Sequence, residues 1–349
     1  MLVLPAPTGP HPVGTTSLYL RDDSRPDPWV PDTARELMAT LWFPAHAAGE
    51  RTADYMTPAV SRLFLGDAGL TSMPLDVLST VRTNAFADAE PLGRTLPLIV
   101  LSPGYTKPRG TLTSLAEDLA SHGYAVVAID HTYENVATGF PDGRVTTCVS
   151  GEGIRGLEFW GKLADGRAAD VSFVIDELIA TYPELVDADR IAMVGHSAGG
   201  ASATRAMVND ARIRAGADID GTTSAPIPET GLARPFLFLG KDSNYTPGSG
   251  PAADTWARDW QRLTGWRRWI LVAGALHASF TDVGLMGEQL GLGPRIALPA
   301  TRVAAITRDY VRAFTDVHLC GENRPILDGP SSGYPEVSFH DLDVRGLSV

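Results

Sequence analysis

A short apolar run, Ile191-Ala192-Met193-Val194, leads directly into Gly195-His196-Ser197-Ala198-Gly199-Gly200, and the residues after it through Asn209 read as a helix. Few folds accept this arrangement. A serine flanked by glycines between strand and helix needs a turn too tight for side chains at its flanks. That turn lifts the hydroxyl above a sheet, with a helix N-terminus beneath it. The segment predicts a nucleophile at one edge of a sheet whose strands feed helices.

The flanking sequence repeats the alternation. Leu96 to Ser102 and Tyr124 to Ile129 are apolar runs of strand length, and Leu112, Leu115, Ala116 and Leu119 recur between them at helical spacing. Val171, Val174, Ile175, Leu178 and Ile179 form another helical face, ended near Pro183. Beyond the serine, Ala215 to Ile219, Pro235 to Leu239 and Trp269 to Val272 read as strands. Trp256, Trp260 and Leu263 mark a helix between the last two, and Thr301 to Asp316 a final helix. Continuous apolar strands joined by amphipathic helices predict an α/β fold with a mostly parallel, doubly wound sheet covered on both faces. Gly14 to Arg21 and Arg35 to Phe43 are expected to add an antiparallel edge. One domain is expected over residues 1–349, with a helical insertion at 54–90, an excursion at 136–165 turning at Asp142-Gly143, and a tail at 321–349.

Composition removes other classes. Of 349 residues, 41 are Asp or Glu and 29 are Lys or Arg, giving a net charge of −12, the wrong sign for a nucleic-acid binder. The two cysteines, Cys148 and Cys320, are too few for a disulfide scaffold or a thiolate metal cluster and leave one disulfide open. No apolar stretch reaches the roughly 18 residues of a membrane span, so no integral membrane association is expected. The start, Met1 to Pro7, lacks a basic stretch and a long apolar run, so a cytoplasmic location is expected.

A serine needs a base. His277, in Gly274-Ala275-Leu276-His277-Ala278-Ser279, follows the last predicted strand and falls at the same sheet edge as Ser197. His131 precedes the serine and is expected to be a pocket or supporting residue. An acid must orient the base, and Asp220 and Asp242 both follow strands at that edge. Spacing leaves both open. Oxyanion donors are expected from the amides of Ala198 and Tyr105, the latter after Pro103-Gly104. Phe159, Trp160, Phe280 and Met286 are candidate pocket residues, and neither a metal nor an organic cofactor is called for.

With these residues placed, the chain resembles the α/β-hydrolase superfamily and, within it, bacterial relatives of plasma-type platelet-activating factor acetylhydrolase. The resemblance rests on Gly9-Pro10, Val13-Gly14, the insertion from Tyr55 to Phe86, Gly195 to Gly200, and Asp218-Ile219-Asp220-Gly221. It implies Asp220 as the acid and His277, in Leu-His-Ala-Ser-Phe, as the base. Leu101 to Thr106 looks like the oxyanion loop of actinobacterial cutinases and polyester hydrolases, a resemblance that implies Asp242 instead. Pro103 departs from the acetylhydrolase pattern, which usually has a histidine there. Together the resemblances imply a serine carboxylic-ester hydrolase acting through an acyl-enzyme on short-chain esters, or on polyesters or lipids; a non-catalytic binding protein is the reading from another class.

Overall fold

The computed structural model describes residues 1–151, 155–293 and 297–340. Eleven strands occur among them: β1 Val13–Pro26, β2 Ala34–Pro44, β3 Leu96–Ser102, β4 Ala125–Asp130, β5 Thr138–Gly139, β6 Val145–Thr146, β7 Val186–His196, β8 Ile213–Ile219, β9 Phe236–Lys241, β10 Arg267–Val272 and β11 Val337–Phe339. The helices are α1 Pro58–Asp67, α2 Thr113–Ser121, α3 Leu157–Thr181, α4 Ala198–Ala201, α5 Ala203–Asn209, α6 Asp242–Tyr245, α7 Pro251–Trp260, α8 Asp282–Gln289 and α9 Ala300–Cys320. The β5–β6 pair is a hairpin turning at Asp142-Gly143, as the sequence suggests. Of the expected tail, residues 341–349 lie outside the described residues, as do 152–154 of the excursion.

Nine strands form one sheet in the order β1-β2-β4-β3-β7-β8-β9-β10-β11. The inner strands β4, β3, β7, β8, β9 and β10 pair in parallel. The strands at both margins pair antiparallel. Every residue of β3 and β4 is buried, as a parallel sheet covered on both faces requires. Alternate side chains divide between two cores. Ile99 and Leu101 meet Leu115 and Leu119 of α2 and Ile306 and Phe314 of α9. Leu98 and Val100 belong with Val171, Val174 and Ile175 of α3 and Trp256 and Trp260 of α7 on the other face.

The chain leaves β3 for β4 on one side and later returns to β7 on the other. That reversal opens a crevice at the carboxyl ends of β3 and β7, the place where open α/β sheets bind ligands. The insertion does not close over this crevice. Tyr55, Met56, Val60, Phe64 and Leu78 pack with Leu2, Leu4 and Met286 in a separate apolar cluster.

Candidate active site

Ser197 sits between β7 and α4 with φ 55° and ψ −122°. A non-glycine residue there stores strain of order 1–3 kcal/mol, which neighbouring packing must hold. The packing is tight: a Cβ on Gly195 would lie 2.2 Å from the Gly199 carbonyl carbon, and one on Gly199 2.0 Å from the Ser102 carbonyl oxygen. The Ser197 amide donates to the Ile219 carbonyl at 2.8 Å, tying the turn to β8.

His277 stands in a 3-10 turn after β10. Its Nδ1 lies 2.5 Å from Asp220 Oδ2, with the acid sealed from solvent and the imidazole 47% exposed. Asp220 also has a positive φ, 56°, which turns its carboxylate toward His277. Its second oxygen accepts the Lys241 amide at 2.8 Å, and its own amide donates to Leu239 at 2.8 Å. Asp242 points elsewhere: it begins α6, and its Oδ1 accepts the Ser243 amide at 2.8 Å. Of the two acids, Asp220 is therefore the one placed against His277.

A cavity of about 500 Å³ is lined by Ser197, Ala198, Asp220 and His277 together with Trp160, Leu163 and Ala164 of α3 and Lys241, Asn244 and Tyr245 from the far side. Ala198 opens α4, so its amide has no acceptor within the helix. The Tyr105 amide likewise has no acceptor among the described residues, and Gly104 lies against Ser197.

Three pocket expectations need correction, and of the two places expected for His131 the structure gives it the supporting one. Phe159 lies in the first turn of α3 rather than a loop, and its ring packs against Tyr105, Trp160 and Trp29 behind the cavity wall. Phe280 is buried between the sheet and α9. Met286 belongs to the insertion's cluster. His131, fully buried, bonds Ser102 Oγ through Nε2 at 2.9 Å and Asp170 through Nδ1 at 2.8 Å. Trp160 does line the cavity. Cys148 and Cys320 are both free thiols.

His131 is part of a buried network beneath the loop after β3. Arg167 of α3 donates to the Pro103 carbonyl at 2.5 Å, to Ser102 Oγ at 3.2 Å and to Glu134 at 2.7 Å. Asp170 binds Arg35 through both oxygens. Burial alone would raise the Asp170 carboxyl, but Arg35 and His131 hold it well below the ordinary range. Only the alignment of β2, β4 and α3 brings these residues together, so local sequence carries no signal of them. His196 had a signal, its place inside the motif: its Nε2 donates to the His277 carbonyl at 2.9 Å.

A strained serine, a histidine bonded to a buried carboxylate and two unengaged amides at a sheet's carboxyl edge define a nucleophilic hydrolase site. Comparison with known proteins agrees. Residues 89–229 match the PET hydrolase-like family, and residues 2–142 match platelet-activating factor acetylhydrolase, isoform II. A probable 1-alkyl-2-acetylglycerophosphocholine esterase of Arthroderma benhamiae is 28% identical over 97% of this chain and 94% of its own length. Cutinase est1 of Thermobifida alba is 31% identical over 31% of this chain and 29% of its own length. The solved structure of a ferulic acid esterase from Streptomyces cinnamoneus superposes with a TM-score of 0.88 and 42% identity, covering 97% of this chain and 99% of that one. The chain belongs to the α/β-hydrolase superfamily. Within it, the protein is a serine-type carboxylic ester hydrolase, similar both to the acetylhydrolases and to the cutinases.

Proposed function

We propose that the protein hydrolyses short-chain acyl esters of small molecules through a Ser197 acyl-enzyme. With Nδ1–H donated to Asp220, His277 keeps Nε2 free to accept the Ser197 proton. The serine oxygen adds to the ester carbonyl, and the amides of Tyr105 and Ala198 receive the developing oxyanion. His277 then returns the proton to the departing alkoxide, and the alcohol leaves. Water, deprotonated by the same imidazole, cleaves the acyl-serine to release the acid and restore the hydroxyl.

The observation that carries this reading is the 2.5 Å His277–Asp220 contact beside a serine of positive φ on one cavity wall. The cavity volume of about 500 Å³ supports a small ester. Trp160, met edge-on by Tyr105 and Phe159 at 5.6 and 4.9 Å, supports an aromatic as well as an aliphatic acyl group on that wall. A polymer-directed reading draws on the PET hydrolase-like match and on the partial similarity to cutinases.

The test is fluorophosphonate labelling with peptide mapping, alongside p-nitrophenyl esters of increasing acyl length, a feruloyl ester and a polyester film. Labelling at Ser197, with turnover highest on soluble short esters and a loss of about 10⁶ in Ser197→Ala, is the expected result. A Ser197→Ala enzyme retaining most activity would overturn the mechanism, and preference for the film would overturn the substrate assignment.

A further inference from the structure

We infer that the catalytic cavity carries an anion subsite centred on Lys241, which selects esters bearing a carboxylate on the side of the scissile bond away from Trp160. The inference rests on the esterase reading of Ser197 and adds a substrate class to it.

The cavity has two unlike walls. Trp160, Leu163 and Ala164 of α3 give one that is apolar. Thr222, Ser224, Lys241 and Asn244 give another made of donors. The chain contains three lysines against 41 acidic residues. Lys107 stands 5.2 Å over the Phe64 ring and Lys162 stands 4.6 Å over the Trp29 ring. Lys241, half-buried in the cavity, makes neither an ion pair nor a ring contact with any described residue.

The carboxylates nearby do not occupy it. Both oxygens of Asp220 are taken, by His277 and by the backbone amide of Lys241 itself. Asp242 turns its oxygen to the amides of Ser243 and Gly274. The hydrogen bond that the Lys241 amide donates to Asp220 also anchors the Lys241 backbone to the residue that orients His277, so the ammonium swings from a fixed point. An ammonium on a flexible stem acts as a point charge without demanding one geometry. The Ser224 hydroxyl and Asn244 carboxamide make no side-chain hydrogen bond with described residues, leaving two further donors on that wall. A partly desolvated cation with neutral donors beside it is chemistry suited to a carboxylate.

The test uses two matched pairs of esters. p-Nitrophenyl butyrate and p-nitrophenyl hemisuccinate differ by a charge on the acyl group; phenyl acetate and 4-carboxyphenyl acetate differ by a charge on the alcohol. The quantity read is the ratio of kcat/KM for the charged ester to that for its neutral partner. In Lys241→Met that ratio is expected to fall about three- to tenfold in the phenyl acetate pair, whose charge lies on the alcohol away from the Trp160 wall, and Lys241→Arg is expected to restore most of it; a fall confined to the butyrate pair would overturn the placement. In the wild-type enzyme the same ratio should fall as salt rises from about 0.05 M to about 0.5 M, a readout independent of how the variants fold.

Ratios unchanged in both pairs and insensitive to salt, with turnover intact, would overturn the subsite and leave the esterase reading standing. Absence of turnover on all four esters together with absence of labelling at Ser197 would overturn the esterase reading and the subsite with it.

Discussion

The ring of His196 lies 4.5 Å from that of His277 and donates from Nε2 to the His277 carbonyl oxygen at 2.9 Å. The residue before the nucleophile thus holds the backbone of the base. Burial, and then the neighbouring His277, push the His196 imidazole down to about 3, so it stays neutral through the working range. His196→Phe keeps a ring but loses the donor, and kcat is expected to drop by about 10- to 100-fold with KM little changed. Steady-state kinetics between pH 5 and 8 check this; because His196 does not titrate there, the kcat deficit should be the same at every pH.

Asp220 and Asp242 end adjacent strands, yet only Asp220 reaches His277. Asp220→Asn should lower kcat by about 10⁴, the order of loss when a triad acid becomes an amide and the wrong tautomer is favoured. Asp242→Asn, altering a half-buried residue bonded to neighbouring amides and out of reach of His277, should remain within about twofold. Parallel kinetics on the two folded variants decide between them, and the reverse ranking would move the acid to the cutinase-like position.

A second Ser-His-Asp chain runs through the protein's interior. Ser102, His131 and Asp170 are linked at 2.9 and 2.8 Å with no solvent exposure, so they have the contacts of a triad without access for an ester. A fluorophosphonate should modify Ser197 and leave Ser102 untouched. The interior chain instead supports the loop that presents Tyr105, with Arg167 gripping the Pro103 carbonyl. Arg167→Met would leave Glu134 buried without its cation, a change expected to cost about 3–5 kcal/mol. Denaturant unfolding measures that loss.

Asp282 at the start of α8 is fully buried and accepts the Ser114 amide at 3.2 Å. Burial pushes its carboxyl up to about 7. Above its ordinary range, near pH 4, the unfolded chain ionises this group while the folded one keeps the proton. Its contribution therefore falls as pH rises from about 4 to about 7 and then levels off. Asp282→Asn should remove that slope. The Tm difference between variant and wild type should shift in the variant's favour across this window and be flat above it, which thermal melts at stepped pH will show.

Much of the architecture was legible because the inner strands are largely apolar runs ended by turn residues, as at Leu96 to Ser102 and Ile191 to Val194. The motif placed Ser197 and strand order placed His277. The pocket was harder to read. The helical face is legible only from Val171, because Gly161 and Gly166 weaken helix propensity before it; tertiary packing carries α3 through both, so Phe159 and Trp160 project from a helix. Phe280 and Met286 follow β10 as anticipated, yet the turns after His277 direct them into packed clusters. The choice of acid depended on one backbone angle, the positive φ of Asp220, which no spacing rule encodes. The three residues of β11 are too few for a periodic signal and read as tail.

That short strand has a consequence for how the protein behaves at high concentration. Val337–Phe339 pairs with Ile270 to Val272, the strand that leads to His277, and the Ala273 amide continues the pairing to Glu336 at 2.8 Å. Without it, β10 would offer unpaired backbone groups on an apolar strand, a template for another chain to join. At the opposite margin β1 ends in Arg21, Asp22, Asp23 and Arg25 before Pro26, charges and a proline that discourage such joining. Shortening the chain before Glu336 would therefore bare that strand edge and is expected to promote self-association through the sheet, and would loosen the base at the same stroke.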